Sequence, residues 1–275
     1  MKDNFKGIEK ALLNKKTFFD KNEKYAVFSD FHLGAGDSND NSLKNANFIF
    51  EALKYYLDND YQVILNGDTF ELVENKHIDD IKCAHENIMW VISELYKKNK
   101  LTIIRGNHDE CLNQKLLLTR KSSYTKKEEV FLDSIDIYDS AEIKTEKPFL
   151  IMHGHQVIWY YHSFFGKICD FLIRYIWCPL EKYLLKDPTS EVDGFEDHSK
   201  VDKPFSMYGS EKGYTVVCGH THSVQLLIPN YFNIGGGTMP RCITCGEIVD
   251  GEYLPYKWSY VVENQVVYLR KSKLD

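Results

Sequence analysis

Five short apolar runs in this chain end alike, each handing over to Asp, Asn or His beside a glycine or a small polar residue. They read Phe28-Ser-Asp30-Phe-His32, Asn66-Gly67-Asp68, Arg105-Gly106-Asn107-His108-Asp109, Met152-His153-Gly154-His155 and Cys218-Gly219-His220-Thr221-His222. Strands that deliver polar groups at their carboxyl ends are the pattern of open α/β sheets, whose ligands bind in the crevice beyond those ends. Helix-like stretches over residues 48–57 and 81–97 separate the first three runs, the second carrying Ile88, Val91, Ile92 and Leu95 on one stripe. This βαβα order predicts a largely parallel sheet in the first half. Beyond residue 130 short strands follow with little helix between them, at 135–138, 149–152, 214–218, 231–234, 258–262 and 266–269. They predict a second, more antiparallel sheet.

A single Asp-x-His or a lone histidine carries little information, but five such endings on five strands point to one site. Residues two apart in an extended chain point the same way, so Asp30 with His32, and His220 with His222, are each expected to present two ligands on one side. Carboxylate, amide and imidazole without thiolate suit a divalent ion such as Mn, Fe, Zn or Co, and the set is large enough for two. A shared carboxylate is the simplest way to hold two ions together. Two metals roughly 3.5–4 Å apart clamp the attacking and leaving oxygens of an in-line displacement at phosphorus.

The ordered set Asp30-x-His32, Gly67-Asp68, Gly106-Asn107-His108-Asp109, His153 and Gly219-His220-x-His222 resembles the calcineurin-like metallophosphoesterase superfamily over residues 30–222. The resemblance implies an α+β fold, a four-layer αββα sandwich of two mixed sheets, as a single domain over residues 1–275 with a dinuclear centre at the sheet edges. It implies Asp30, His32 and His222 as ligands of a first metal, Asp68 as the bridging carboxylate, and Asn107, His153 and His220 as ligands of a second, with manganese the leading ion. His108 then steadies the phosphoryl group and protonates the departing oxygen, and Asp109 orients His108. The turn at Asn233-Ile-Gly-Gly-Gly stands where this family has an Asn-containing Gly-rich turn near the metals. His155 is the alternative to His153 as ligand, since both lie on one side of an extended strand. Coordination lowers the pKa of water from about 16 to about 7, so the expected nucleophile is a hydroxide attacking in line.

An aromatic-rich helical and loop insertion is expected at 156–212, directly after a ligand strand. Within it Ile168, Phe171, Leu172, Tyr175 and Ile176 recur at helical spacing. Its position resembles that of the apolar lid in pyrophosphohydrolases that cleave UDP-2,3-diacylglucosamine. Here the motif reads His153-Gly-His155 where those enzymes have His-Gly-Asp, and His108 stands where they have arginine, so the resemblance carries the architecture and not the substrate. Three readings of the stripe stay open: ordinary core, a lid over the metals, and a surface that docks on a membrane or a second subunit.

With 34 basic and 40 acidic side chains the 275-residue chain carries a net charge of −6, which disfavours nucleic acid as a partner. Seven cysteines at scattered positions and a start without an apolar leader make the cytoplasm the expected compartment. No transmembrane run is present, because Asp170, Arg174 and Glu181 interrupt the most apolar stretch, although peripheral membrane contact stays open. The expected activity is hydrolysis of phosphate monoester, diester or pyrophosphate bonds in a small substrate that carries an apolar, lipid-linked or nucleotide-linked part. The alternatives are a nuclease or a protein phosphatase of the same superfamily. A non-catalytic scaffold of the superfamily would lack the Asn-His pair or a ligand, and both are present. Cys242-Ile-Thr-Cys245 has no second pair to complete a zinc site, Asp37-Ser-Asn-Asp-Asn lacks the glycine and final glutamate of a calcium loop, and Gly235-Gly-Gly237 lacks the Lys-Ser or Lys-Thr of a P-loop.

Overall fold

The computed structural model describes residues 5–19, 23–38, 40–113, 119–121, 128–130, 135–158 and 199–275. Two mixed sheets lie face to face. The first has seven strands in the order β15 (Val266–Lys273), β14 (Glu252–Glu263), β13 (Cys242–Val249), β2 (Tyr25–Phe28), β3 (Gln62–Asn66), β4 (Leu101–Ile104) and β7 (Ile137–Tyr138). The second has six, in the order β1 (Lys15–Phe18), β8 (Ser140–Ile143), β9 (Phe149–Ile151), β10 (Thr215–Cys218), β12 (Tyr231–Ile234) and β11 (Val224–Gln225). A separate antiparallel pair joins β5 (Thr119–Lys121) to β6 (Glu128–Val130).

Alternation along each strand decides what fills the layers. Tyr25, Val27, Ile64 and Ile104 point inward from the first sheet and meet Ala141, Ile143, Ile151, Val217 and Ile234 of the second. The opposite face of the first sheet, through Ala26, Phe28, Val63, Leu65 and Ile103, packs against α2 (Ala46–Asp58), α3 (Ile78–Ala84) and α4 (Glu86–Lys97). The outer face of the second sheet, through Leu150, Met152, Val216, Cys218 and Tyr231, is covered by α1 (Phe5–Ala11) and α5 (Ser199–Lys212). Helices therefore flank two apposed sheets, giving four layers of α+β architecture. In α4 the stripe Ile88, Val91, Ile92 and Leu95 is buried on the sheet.

Three expectations change. The strand at 135–138 and the hairpin at 258–269 belong to the first sheet, not the second: β7 extends it in parallel beyond β4, and β13 to β15 extend it antiparallel beyond β2. The second sheet is mostly parallel, with β9, β10 and β12 aligned, because the chain returns between them through crossovers and not hairpins. The helix expected over 81–97 is two helices, broken at His85, whose backbone leaves the helical region (φ −114°, ψ 41°) and whose Nε2 lies 2.7 Å from Asp40 Oδ2. Of the expected insertion, residues 159–198 and the stripe from Ile168 to Ile176 lie outside the described residues. Residues 199–212 form α5, which buries Val201, Phe205 and Tyr208 on the second sheet as part of an outer layer.

Candidate metal centre

Every strand that carries a candidate ligand ends at one edge of the sandwich. Asp30 and His32 follow β2, Asp68 follows β3, Asn107 and His108 follow β4, His153 follows β9, and His220 and His222 follow β10. Backbone hydrogen bonds lock the loops to one another, Asp30 N–H to the Gly67 carbonyl at 3.1 Å, His32 N–H to Asp68 O at 2.9 Å and Gly219 N–H to His153 O at 2.8 Å. The two-residue alternation expected of Asp30 with His32 and of His220 with His222 is not how they converge. All four, with Asp68, adopt left-handed backbone, with φ of 54°, 47°, 71°, 53° and 49° respectively. Non-glycine residues rarely adopt this conformation, and such strain concentrates at functional sites. Here it curls each loop so that both side chains turn into the same space. Gly106 leaves room for the convergence: a Cβ there would stand 2.0 Å from Asp68 Oδ1.

The carboxylates lie at the focus. Asp30 Oδ1 is buried without a hydrogen-bond partner, yet Nε2 of His222, His32 and His153 stand 3.3, 3.9 and 3.9 Å from it. Asp68 Oδ2 lies 3.0 Å from His153 Nε2 and 3.7 Å from His32 Nε2, between the two sets of histidines. Asn107 Oδ1 is 3.2 Å from His153 Nε2. Asp30, His32 and His222 thus form one group with ligand atoms within 4.8 Å of one another, and Asp68, His153 and His220 a second. Carboxylate and amide oxygens and imidazole nitrogens that converge deep in the protein, most of them 3.2–3.9 Å apart and the Asp68–His153 pair at 3.0 Å, make a donor set suited to a cation. The residues present therefore fit two divalent ions. His32, Glu71 and His108 make a third close group, but their contacts of 2.8 and 2.7 Å are direct hydrogen-bonding distances that leave no space for an ion.

The imidazoles are aimed from behind. Nδ1 of His153 donates to the Asn66 carbonyl at 3.0 Å, Nδ1 of His32 to Glu71 Oε2 at 2.8 Å, and Nδ1 of His222 hydrogen-bonds Thr238 Oγ1 at 3.0 Å. Each anchor fixes the ring and leaves Nε2 toward the carboxylates, the usual way ligating histidines are oriented. Asn233 Nδ2 donates to Gly219 O at 2.7 Å and Thr221 Oγ1 at 3.0 Å, which holds the turn bearing His220 and His222. Asp30 Oδ2 accepts the His220 backbone N–H at 2.8 Å. Sequence reasoning missed Glu71, Thr238 and Asn66. For Glu71 there was a signal, one acidic residue alone in the apolar run Phe70-Glu71-Leu72-Val73.

The Asp109 carboxylate, expected to orient His108, turns to backbone groups and not to the His108 ring. It accepts the backbone N–H groups of Gly106 at 2.6 Å and Thr69 at 2.9 Å, so it fastens the loop after β4 to the loop after β3. The reason is the turn at 106–109, which folds the Asp109 side chain back under its own backbone. The partner of His108 is Glu71, with Oε2 2.7 Å from Nδ1, while the His108 backbone N–H donates to Asp68 Oδ1 at 2.7 Å. His108 is about a quarter exposed, at 26%. His155 stands apart from both groups, its ring 5.5 Å from that of His153, on the wall of an adjoining cleft of about 230 Å³ with Arg105, Gly106, Glu110 and Gln156.

Burial works against every charge in this site, and the partners decide the outcome. It opposes ionisation of Asp30 and Asp68, but the surrounding imidazoles hold both carboxyls well below the carboxylate range. It opposes protonation of His153, but Asp68 and Asp30 raise it to about 9. For His220 burial and the neighbouring His153 act together and lower it to about 3, so this imidazole is neutral, the form that ligates a metal. Burial and the Asp68 carboxylate push Asp109 up to about 6. Glu71, despite its burial, is held near 2 by His108 and His32, and in return Glu71 and Asp68 lift His108 to about 10 against its own burial.

The sequence profile of the calcineurin-like phosphoesterase family matches residues 23–224. The chain belongs to that family. No curated protein matches it in overall sequence. Among solved structures it is similar to a Vps29 double mutant from Entamoeba histolytica, at 15% identity and a TM-score of 0.42 over 92% of this chain and 99% of that one. It is also similar to Vps29 from Cryptosporidium parvum, at 11% identity and 0.41 over 93% and 99%. A "predicted phosphoesterase" from Streptococcus pneumoniae gives 13% identity and 0.38 over 91% and 98%. Among the described residues of this family member no helix is long and apolar enough to cross a membrane.

Proposed function

We propose that this family member is a dinuclear metal-dependent phosphohydrolase acting on a phosphate ester or pyrophosphate bond of a small substrate. The observation that carries the reading is Asp30 Oδ1, buried, without a hydrogen bond, and faced by three imidazole nitrogens at 3.3–3.9 Å. In this reading Asp30, His32 and His222 hold one ion, Asn107, His153 and His220 the other, and Asp68 serves both. The absence of thiolate from the set favours Mn, Fe, Zn or Co. Two such ions supply a nucleophile at neutral pH and neutralise phosphoryl charge.

The chain's own groups do the rest. Glu71 holds the Nδ1 edge of His108, so the proton that the leaving oxygen needs is carried on Nε2. Asp109 keeps His108 in place indirectly, through the backbone of Gly106 and Thr69. Asn66, Glu71 and Thr238 set the ring orientations of His153, His32 and His222. A basic leaving group gains most from this arrangement, since it cannot depart without a proton.

The test combines metal content with turnover. The purified chain should hold close to two divalent ions by mass spectrometry and hydrolyse p-nitrophenyl phosphate or its bis ester, with manganese added, faster than it digests single-stranded DNA. Asp68→Ala should bind one ion or none and lose activity, because one carboxylate serves both positions. An active Asp68→Ala protein with two ions per chain would sink the reading.

A further inference from the structure

The cleft of about 230 Å³ that His155 borders starts from the same strand ends as the ligands. Arg105 and Gly106 follow β4, Asp139 follows β7, and His155 and Gln156 follow β9. The His155 ring stands 5.5 Å from that of His153 and 6.4 Å from that of His220, so the cleft meets the site at the second group of ligands. Helix α1 closes it with Gly7, Lys10 and Ala11. This helix lies directly on the turn after β9: a Cβ at Gly7 would stand 1.8 Å from the Gln156 carbonyl oxygen, so only glycine allows the approach.

The inner walls are braced. Arg105 Nη1 donates to Asp139 Oδ1 at 2.9 Å and its Nε to the Leu112 carbonyl at 3.1 Å, while Asp139 Oδ2 accepts from Asn14 Nδ2 at 3.2 Å. Gln156 Oε1 accepts the Gly154 N–H at 2.8 Å. At the rim Lys10 and Glu110 are exposed, and among the described residues neither side chain makes a hydrogen bond or an ion pair. Fixed groups inside and uncommitted ones at the mouth make a place prepared for a ligand.

The balance of the lining selects the ligand. Two bases, Lys10 and Arg105, stand with two acids, Glu110 and Asp139, and Arg105 is already paired with Asp139, so no surplus positive charge awaits a second phosphate or a carboxylate. The only aliphatic side chain is the Ala11 methyl, and no Phe, Tyr or Trp lines the space, so an acyl chain or a stacked base finds little to bury against. A neutral group rich in hydroxyls fits, since each hydroxyl donates to a carboxylate and accepts from an ammonium, guanidinium or amide N–H. The volume lies below the about 300–1,000 Å³ of sites that enclose a whole drug-sized ligand, and suits one ring or short chain whose phosphoryl group stays at the metal ligands. Resting on the dinuclear reading above, we propose that the cleft seats a sugar or polyol and that the substrate is its phosphate ester.

The test gives the full-length, manganese-loaded chain glucose 6-phosphate, glycerol 3-phosphate and butyl phosphate, all esters of primary alcohols, of which only the last lacks free hydroxyls. The expected kcat/KM for a hydroxylated ester is at least about tenfold that for butyl phosphate, the worth of one hydrogen bond to a charged group. Lys10→Ala and Glu110→Ala should each remove most of that preference, chiefly through KM. Should either variant fail to fold, the parent's preference decides. A parent without the preference, or variants that keep it in full, overturn the inference and leave the dinuclear reading standing. Octyl phosphate as the best ester would give the cleft to an apolar group, and a nucleoside diphosphate would give it to a second anion; either overturns the inference. Two bound ions without turnover of any ester would sink the phosphohydrolase reading itself, and this inference with it.

Discussion

Glu71→Gln removes a carboxylate that touches both a metal-facing ring, that of His32, and the ring of His108. Its Oε2 meets Nδ1 of His32 at 2.8 Å and of His108 at 2.7 Å, while Oε1 accepts the backbone N–H groups of Val73 and Glu74, each at 3.2 Å. Glutamine keeps the size and one acceptor but removes the charge and presents an N–H₂ to one ring. A hydrogen bond to a charged group contributes about 1.5–3 kcal/mol, and at 1.36 kcal/mol per decade its loss at His108 alone slows turnover by about 10- to 150-fold. The same change at His32 acts on metal retention, where loss of an orienting partner weakens affinity by about 10- to 100-fold. The two routes separate experimentally. Loss through His108 shrinks for p-nitrophenol, which leaves without a proton, and is not additive with His108→Ala in a double-mutant cycle. Loss through His32 lowers the metal content by mass spectrometry and is the same for all leaving groups. A Glu71→Gln enzyme that keeps its metals and turns over a basic ester at the parent rate refutes the reasoning.

Other outcomes follow from the same contacts. His108→Ala should retain both ions and lose about 10²–10⁴ in kcat on an alkyl phosphate, with a smaller loss on p-nitrophenyl phosphate, and equal losses would point to a purely electrostatic role. Asp109→Ala leaves the N–H groups of Gly106 and Thr69 without their acceptor and should cost about 1–3 kcal/mol in urea unfolding; a stability equal to the parent's would show those bonds to be dispensable. Chelation should lower the unfolding temperature, since an ion held at 100 times its dissociation constant stabilises the fold by about 2.7 kcal/mol, and an unchanged midpoint would deny metal binding. Asp40, in which burial is outweighed by hydrogen bonds from His85, Ser42 and Gly36, is held below its ordinary value. Its stabilisation is therefore present above pH 4 or so and lost as pH falls through the lower folded-state value, so Asp40→Asn should destabilise at pH 7 and approach the parent in acid.

Much of the fold was legible because alternation and helical spacing are local. The strands β2, β3 and β4 with α2 and α4 between them were written in contiguous apolar runs, and their burial follows the expected stripes. What the sequence did not disclose was sheet membership. A strand such as β7 or β14 looks the same whichever sheet it joins, and only the connection that precedes it decides. Six of the described strands, β1, β5, β6, β8, β11 and β13, escaped notice, three of them for a related reason. β1 and β8 are four residues each and carry Lys15, Lys16 and Glu142, which read as loop, while β13 holds Cys242, Thr244, Gly246 and Glu247 among its eight residues. In β8 the buried Glu142 is neutralised by its near neighbour Lys144 and by Lys15, 127 residues away and beyond any local window.

The candidate site shows where pattern stops and backbone geometry begins. Spacing put Asp30 beside His32 and His220 beside His222, and they are together, but through left-handed turns and not through the pleat of a strand. The distinction has consequences for which residues matter. A strand would hold its side chains without help, whereas curled loops need to be tied, and the ties are the groups that spacing cannot reveal: the Asp109 carboxylate on two backbones, Asn233 on Gly219 and Thr221, and Glu71 between two rings. The family resemblance implies Asp109 as the partner of His108. The turn at 106–109 sends the carboxylate back to Gly106 N, and the group that meets the His108 ring is Glu71, from the loop after β3. A loop that must present two ligands from adjacent positions thus draws its orienting groups from other strands' loops, so the centre forms only once both sheets are in place.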